Sequence, residues 1–142
     1  MNKINTLEHL KDLIAAGVME STTLEYKSAI DTRTDGWKKE MAKDVSAMAN
    51  SNGGTIIYGI KEYDDPCMKH LPERISPFDT TNISKETISL VIANNIAPRI
   101  KGVEILCIVV DDTKPNEVVF VLTFHKAILR IKIYAQNYII SV

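Results

Sequence analysis

The sequence predicts a single α+β domain built from about three helices and a mixed or antiparallel sheet. Three observations point there. Apolar residues recur at helical spacing over residues 7–14, 37–48 and 88–96, while short runs rich in β-branched residues lie between and after them. Two of those runs, "VEILCIVVDD" and "EVVFVLTF", are separated by Thr113, Lys114, Pro115 and Asn116 and read as an antiparallel hairpin. With 142 residues, 45% of them hydrophobic and 25% charged, the chain can bury one core and is too short for two ordinary domains.

Thr6 is placed to cap the first helix, whose Leu7, Leu10, Leu13 and Ile14 share one face and which Gly17 stops. The stretch "TTLEYKSA" then alternates, with Leu24, Tyr26 and Ser28 on one side and Glu25 and Lys27 on the other, as a half-buried strand requires. A second helix is expected from Asp35 through Asn50. Its apolar stripe is Trp37, Met41, Val45 and Met48, and its wet side carries Lys39, Lys43, Ser46 and Asn50. "TIIYGI" follows as a short buried strand. Residues 61–82, polar and interrupted by Pro66, Pro72 and Pro77, read as a long loop. The third helix is capped by Ser84, has Glu86 in its first turn, carries Ile88, Val91, Ile92 and Ile96, and ends before Pro98. After the hairpin, "ILRIKIYAQNYIISV" alternates around Arg130 and Lys132 and predicts one more strand.

Composition narrows the function classes. A formal charge of −1 gives no global attraction for nucleic acid, so any such contact must come from a local patch. Cys67 and Cys107 are far apart with no companion, which argues against a zinc knuckle or disulfide framework and for a reducing, cytoplasmic setting. The longest apolar runs fall well short of the roughly 20 residues of a membrane helix, so no membrane association is expected.

The double glycine in "AMANSNGGTIIYGI" sits between a helix and a strand, in that order. Phosphate-cradling glycine loops run the other way, from a strand into a helix N-terminus where free N–H groups and the positive dipole end meet the anion. Here the turn lies at a helix's negative end, and no Gly-Lys-Ser/Thr follows. ATP is therefore not an expected ligand. Asn50, Asn52, Gly53 and Gly54 are read as a structural turn, with Asn52 and Gly53 supplying left-handed conformations that end the helix.

"MESTTLEYKSAI", the helix ending in "VSAMANSNGGTIIYGI", and the helix closed by "IAPRI" before a hairpin together resemble the Schlafen-type AlbA domain family. Its bacterial members carry the labels transcriptional regulator and divergent AAA. The resemblance covers roughly residues 18 to 124, leaving 1–17 as an N-terminal helix and 125–142 as a diverged or truncated final strand. It implies a nucleic-acid-binding, DNA-binding or regulatory domain; some relatives are instead metal-dependent endoribonucleases that cut tRNA or rRNA through three carboxylates. Glu20 and Glu25, in "ESTTLEYK", match two of those acids. Where the third, an aspartate, follows the next strand, this chain has Lys61 and then Glu62, with Asp64 and Asp65 beyond. The resemblance thus implies Glu20, Glu25 and Glu62, with Asp64 or Asp65 as the alternative third acid, as ligands for Mg or Mn if the domain is a nuclease, and no cofactor is otherwise implied.

That chemistry makes physical sense, because phosphodiester cleavage uses clustered carboxylates to hold a hard divalent cation. Glu20 and Glu25 would face opposite sides of a continuous strand, so Glu20 must sit in a turn before it. Lys27, on the face of Glu25, could stabilise charge developing at phosphorus. Alternatively Glu25 and Lys27 are an exposed ion pair worth about 0–1 kcal/mol. For binding, Lys27, Arg33, Lys39 and Lys43 suggest a local basic strip, diluted by Glu40 and Asp44, with Arg99 a further phosphate contact. Aromatics do not interleave with these basic residues, so base readout is not indicated. His9, His70 and His125 do not pair at ligand spacing and read as surface or structural residues. The apolar "NYIISV" is a strand edge through which two copies could pair. The expected function is a nucleic-acid-binding domain with little sequence preference for DNA or RNA. A metal-dependent endoribonuclease and a protein-interaction module that has lost both activities are the alternatives.

Overall fold

A computed structural model describes residues 3–28, 30–81, 83–100 and 102–127, together with the backbone of 132–135 and 138–141. Helix α1 (Leu7–Ala15) is capped by the Thr6 side chain, which accepts from the His9 N–H, and Gly17 follows at φ 60. Strand β1 (Leu24–Lys27) precedes α2 (Gly36–Ser51), which leads directly into β2 (Gly53–Tyr58). Strands β3 (Ile60–Glu62), β4 (Pro72–Ile75) and β5 (Phe78–Asp79) come next, then α3 (Lys85–Asn95) and β6 (Ile96–Ala97). Strands β7 (Glu104–Val109) and β8 (Glu117–His125) form the expected hairpin, followed by β9 (Lys132–Ala135) and β10 (Tyr138–Ser141).

The main sheet is mixed. β1 pairs parallel with β2, β2 antiparallel with β8, and β7 antiparallel with β8, while β5 extends the β2 edge along the start of β8. β8 is buried on both faces, which is why "VVFVLTF" is apolar throughout and does not alternate. Ile56, Tyr58, Phe120 and Leu122 point to one core with Trp37, Met41 and Val45 of α2 and Ile88, Val91 and Ile92 of α3. Leu24, Tyr26, Ile57, Val119 and Val121 point the other way, against Leu10 and Leu13 of α1. Helices thus cover both faces of the sheet, and the chain is the single α+β domain its pattern predicts. Among the described residues no helix is long and apolar enough to cross a membrane.

Four local expectations are corrected. Residues 61–82 are not one loop: β3 and β4 form an antiparallel hairpin and β5 joins the main sheet, with Phe78 buried against Phe120 at a ring separation of 5.8 Å. Proline opens β4 because the first residue of a strand can forgo its N–H. Ser46 is fully buried, since the α2 stripe is wide enough to include it, whereas Lys39 and Lys43 stay exposed. In the turn, Asn52 is right-handed at φ −118, and the positive angles belong to Gly53 at 70 and Gly54 at 137. Finally, the C-terminal stretch holds two described strands, β9 and β10, forming with β6 a separate three-stranded sheet in which β10 is an edge. Arg130 and the side chain of Lys132 lie outside the described residues.

The double glycine is a close-approach site. A Cβ on Gly54 would lie 2.3 Å from the Thr23 carbonyl oxygen, and one on Gly53 2.5 Å from the Lys126 nitrogen. Only glycine lets β2 run between β1 and β8 at its first residues.

Candidate metal and phosphodiester site

Glu20 sits immediately before the tight turn that starts β1. Ser21 bridges Leu24, and the Ser21 hydroxyl accepts from the Thr23 N–H at 3.2 Å, which reverses the chain in three residues. The Glu20 carboxylate folds back onto the strand, where Oε1 accepts from the Tyr26 N–H at 2.8 Å. Its other oxygen, Oε2, lies 2.8 Å from His70 Nδ1, and its backbone N–H donates to the His70 carbonyl at 3.0 Å. Glu62, the last residue of β3, brings Oε2 to 3.6 Å from the same Nδ1. One ligand-capable atom from each of Glu20, Glu62 and His70 lies within 4.8 Å of the others.

His70 holds this position with a left-handed backbone, φ 73, which is costly for a residue with a Cβ and which the paired contacts to Glu20 over-determine. Among the described residues neither Glu20 nor Glu62 pairs with a lysine or arginine. Lys61, next to Glu62 in sequence, instead pairs with Asp64 and Glu73 at 2.9 and 3.0 Å. Partial burial, and then the Glu20 charge, push the Glu62 carboxyl above its usual range, with His70 opposing. Behind them the Tyr26 hydroxyl donates to the Val18 carbonyl at 2.6 Å; burial first, then Glu20 and Glu62, push its pKa up to about 12.

Glu25 does not join this group. On the α2 face of the sheet it lies opposite Ile56, and its Oε1 is 3.1 Å from Lys27 Nζ. Lys27 also reaches Asp44 of α2 at 3.7 Å, and the buried Tyr58 hydroxyl donates to the other Asp44 oxygen at 3.2 Å. Burial raises the Asp44 carboxyl despite Lys27, and burial followed by Asp44 keeps the Tyr58 phenol protonated. Burial alone would lower Lys27, yet Asp44 and Glu25 outweigh it, with Glu20 close enough to add its charge, so the ammonium persists. The site therefore has two neighbouring parts, a carboxylate and imidazole corner and a fixed cation beside it.

Asp64 and Asp65, the other candidates for the third acid, are exposed in the β3–β4 connection; Asp64 holds Lys61 and Asp65 accepts from the Cys67 N–H. The basic strip is neutralised in part, with Lys27 held by Glu25 and Asp44. Arg33 forms a two-pronged pair with Asp31 at 2.8 Å, and Lys38 meets Asp35 at 3.1 Å. Lys39, Lys43 and Arg99 remain exposed to solvent. Asn50 is half-buried in the last turn of α2. His70, Asp44 and Tyr58 carry no signal in the sequence, because each meets its partner only through the fold. A histidine within reach of Glu20 across 50 residues is invisible to any spacing argument.

The two carboxylates and imidazole suit a divalent cation by donor chemistry. No curated protein matches the chain. The family model described as Schlafen, AlbA_2 matches residues 20–140, which includes every element from β1 to the end of β9 and nearly all of β10. That match is consistent with a nucleic-acid-related domain and extends past the hairpin over the C-terminal strands. With most of its length matched, the chain belongs to the Schlafen AlbA_2 family.

Proposed function

We propose that this domain is a metal-dependent nuclease for structured RNA such as tRNA, engaging the phosphodiester backbone with little base readout. The observation that carries the reading is the meeting of Glu20 and Glu62, which lie on separate elements, at a corner where, among the described residues, His70 contacts both and neither forms an ion pair with a lysine or arginine. Two partly buried carboxylates held together repel, and a divalent cation relieves that repulsion. Glu20 and Glu62 would hold such a cation, and the chemistry supplied there would be polarisation of a phosphoryl group and activation of water.

The chain's own residues supply the rest. The Tyr26 N–H fixes the Glu20 carboxylate, leaving Oε2 directed to the corner. Lys27, kept charged by Asp44 and Glu25, offsets negative charge at the phosphate. Because Arg33 and Lys38 are tied to acids, the exposed lysines of α2 alone give a weak anion field.

Purified protein incubated with total tRNA, single-stranded DNA and duplex DNA, each with Mn²⁺ or with chelator, tests this. Metal-dependent cutting of RNA, lost in Glu20→Gln and Glu62→Gln, is the expected outcome. The second reading, a binder that does not cut, is favoured by the exposed Lys39 and Lys43 on α2. It predicts intact substrates that still shift on a gel with chelator present, with affinity falling steeply as salt rises.

A further inference from the structure

His70 is the least expected member of the acidic corner. Its ring nitrogen Nδ1 is the atom on which both carboxylates converge, at 2.8 Å from Glu20 Oε2 and 3.6 Å from Glu62 Oε2. The imidazole is not a passing surface contact. The Glu20 N–H donates to the carbonyl of the same residue, so backbone and side chain of His70 are both anchored to Glu20. Glu20 and Glu62 are mostly shielded, with side chains 17% and 29% exposed, while His70 at 53% closes the solvent side. The corner thus offers two oxygen donors from mostly shielded carboxylates and one nitrogen donor from the more exposed imidazole.

We propose that His70 is a third ligand of this site, and that the resulting two-glutamate, one-histidine set selects a borderline transition ion of the zinc and cobalt class over magnesium. Magnesium dehydrates reluctantly and prefers all-oxygen octahedral surroundings, whereas imidazole favours zinc, cobalt, nickel and iron. A cation there takes the place of whatever proton Nδ1 shares with Glu20, and it turns a like-charge pair of carboxylates into a ligand pair. The inference deepens the nuclease reading by naming the ion of that same site. Binding of the ion does not itself depend on cleavage.

The test is calorimetric titration of the full chain with Co²⁺, Zn²⁺ and Mg²⁺ separately, with the visible absorption of Co²⁺ as a second readout. One cobalt ion per chain is expected, displaced by zinc, with magnesium at least about tenfold weaker. His70→Asn is the informative variant, because asparagine tolerates the left-handed backbone yet removes the imidazole. It should weaken cobalt about 10- to 100-fold and alter the cobalt spectrum while leaving magnesium within about twofold. Glu20→Gln should weaken all three ions, which also separates this site from binding by the exposed Cys67 thiol. If His70→Asn fails to keep the native circular dichroism spectrum, His70→Gly serves, since glycine accepts the same backbone angle.

Cobalt affinity and spectrum unchanged in the folded His70 variants, or magnesium binding as tightly as cobalt, would overturn the proposal. Cobalt bound as expected with no substrate cut would remove the nuclease reading alone. Cutting supported equally by magnesium and untouched in His70→Asn would remove this inference alone.

Discussion

Replacing Gly54 by alanine should be among the most damaging single substitutions in the turn, because the backbone at the start of β1 packs directly against it. The added Cβ would sit 2.3 Å from the Thr23 carbonyl oxygen and 2.7 Å from its carbon and Cα, all backbone atoms of the neighbouring chain. No rotamer change relieves that contact. Gly54 also holds φ 137, outside the range open to other residues, which costs alanine about 1–3 kcal/mol. If β1 retreats to make room, the Thr55 N–H to Thr23 carbonyl bond of 2.9 Å is lost, at about 1 kcal/mol more. A total of about 2–4 kcal/mol follows, a large share of the roughly 5–15 kcal/mol that holds a typical domain together. Urea unfolding followed by tryptophan fluorescence measures it, with Trp37 buried in the core as the probe. Gly17→Ala is the control for the angle alone: at φ 60 with nothing within 4 Å, it should cost about 1–2 kcal/mol. Gly36→Ala, at the first position of α2 with its nearest neighbour 3.8 Å away, should be stabilising by about 0.4–1 kcal/mol. Were Gly54→Ala no worse than Gly17→Ala, the double glycine would not be a packing requirement, and the case against a ligand-binding loop would lose its structural support.

Two further outcomes follow from buried polar groups. Glu62 is raised by burial and Glu20, so the native state keeps a proton that the unfolded chain has released; stability from this group falls as pH rises from the ordinary carboxylate range through the raised value. In metal-free protein, Glu62→Gln should therefore stabilise the fold at pH 7 by about 1 kcal/mol, the water-screened repulsion of unit charges about 4 Å apart, with the gain vanishing near pH 4 in a calorimetric pH series. An equal gain at both pH values would contradict that assignment. Ser46 Oγ is buried without a hydrogen-bond partner among the described residues, so Ser46→Ala should raise stability by up to about 1 kcal/mol in urea unfolding, and a clear loss would show a partner for the hydroxyl.

Much of the fold was legible in the residues. The three helices announce themselves through long apolar periodicity and through Thr6 and Ser84, whose side chains do accept the expected capping bonds. Strands β3, β4 and β5 were hidden because two to four residues, one of them a proline, are too few to show alternation. In the turn the left-handed angles fall on Gly53, as expected, and on Gly54 in place of Asn52, since "NG" and "GG" are equally good turn signals and only the approach of Thr23 and Lys126 selects the glycines. At the site, the alternation of β1 placed Glu25 and Lys27 together, and their 3.1 Å contact follows from that face. The His70 contact to Glu20 and the Asp44 contact to Lys27 depend on how β1 sits beside β3 and α2, which local pattern does not encode.

The decisive question is whether the carboxylate corner, and not the lysines of α2, governs what the protein does to nucleic acid. The direct measurement is cleavage of labelled tRNA at fixed ionic strength with Mn²⁺, comparing the parent chain with Glu20→Gln, Glu62→Gln and with Lys39→Gln, Lys43→Gln, each checked for native circular dichroism. If the corner governs, cutting disappears in the glutamate variant and with chelator, and persists at reduced affinity in the lysine variant. Intact tRNA in every reaction, bound just as tightly with chelator present and released only by the lysine changes, would contradict it.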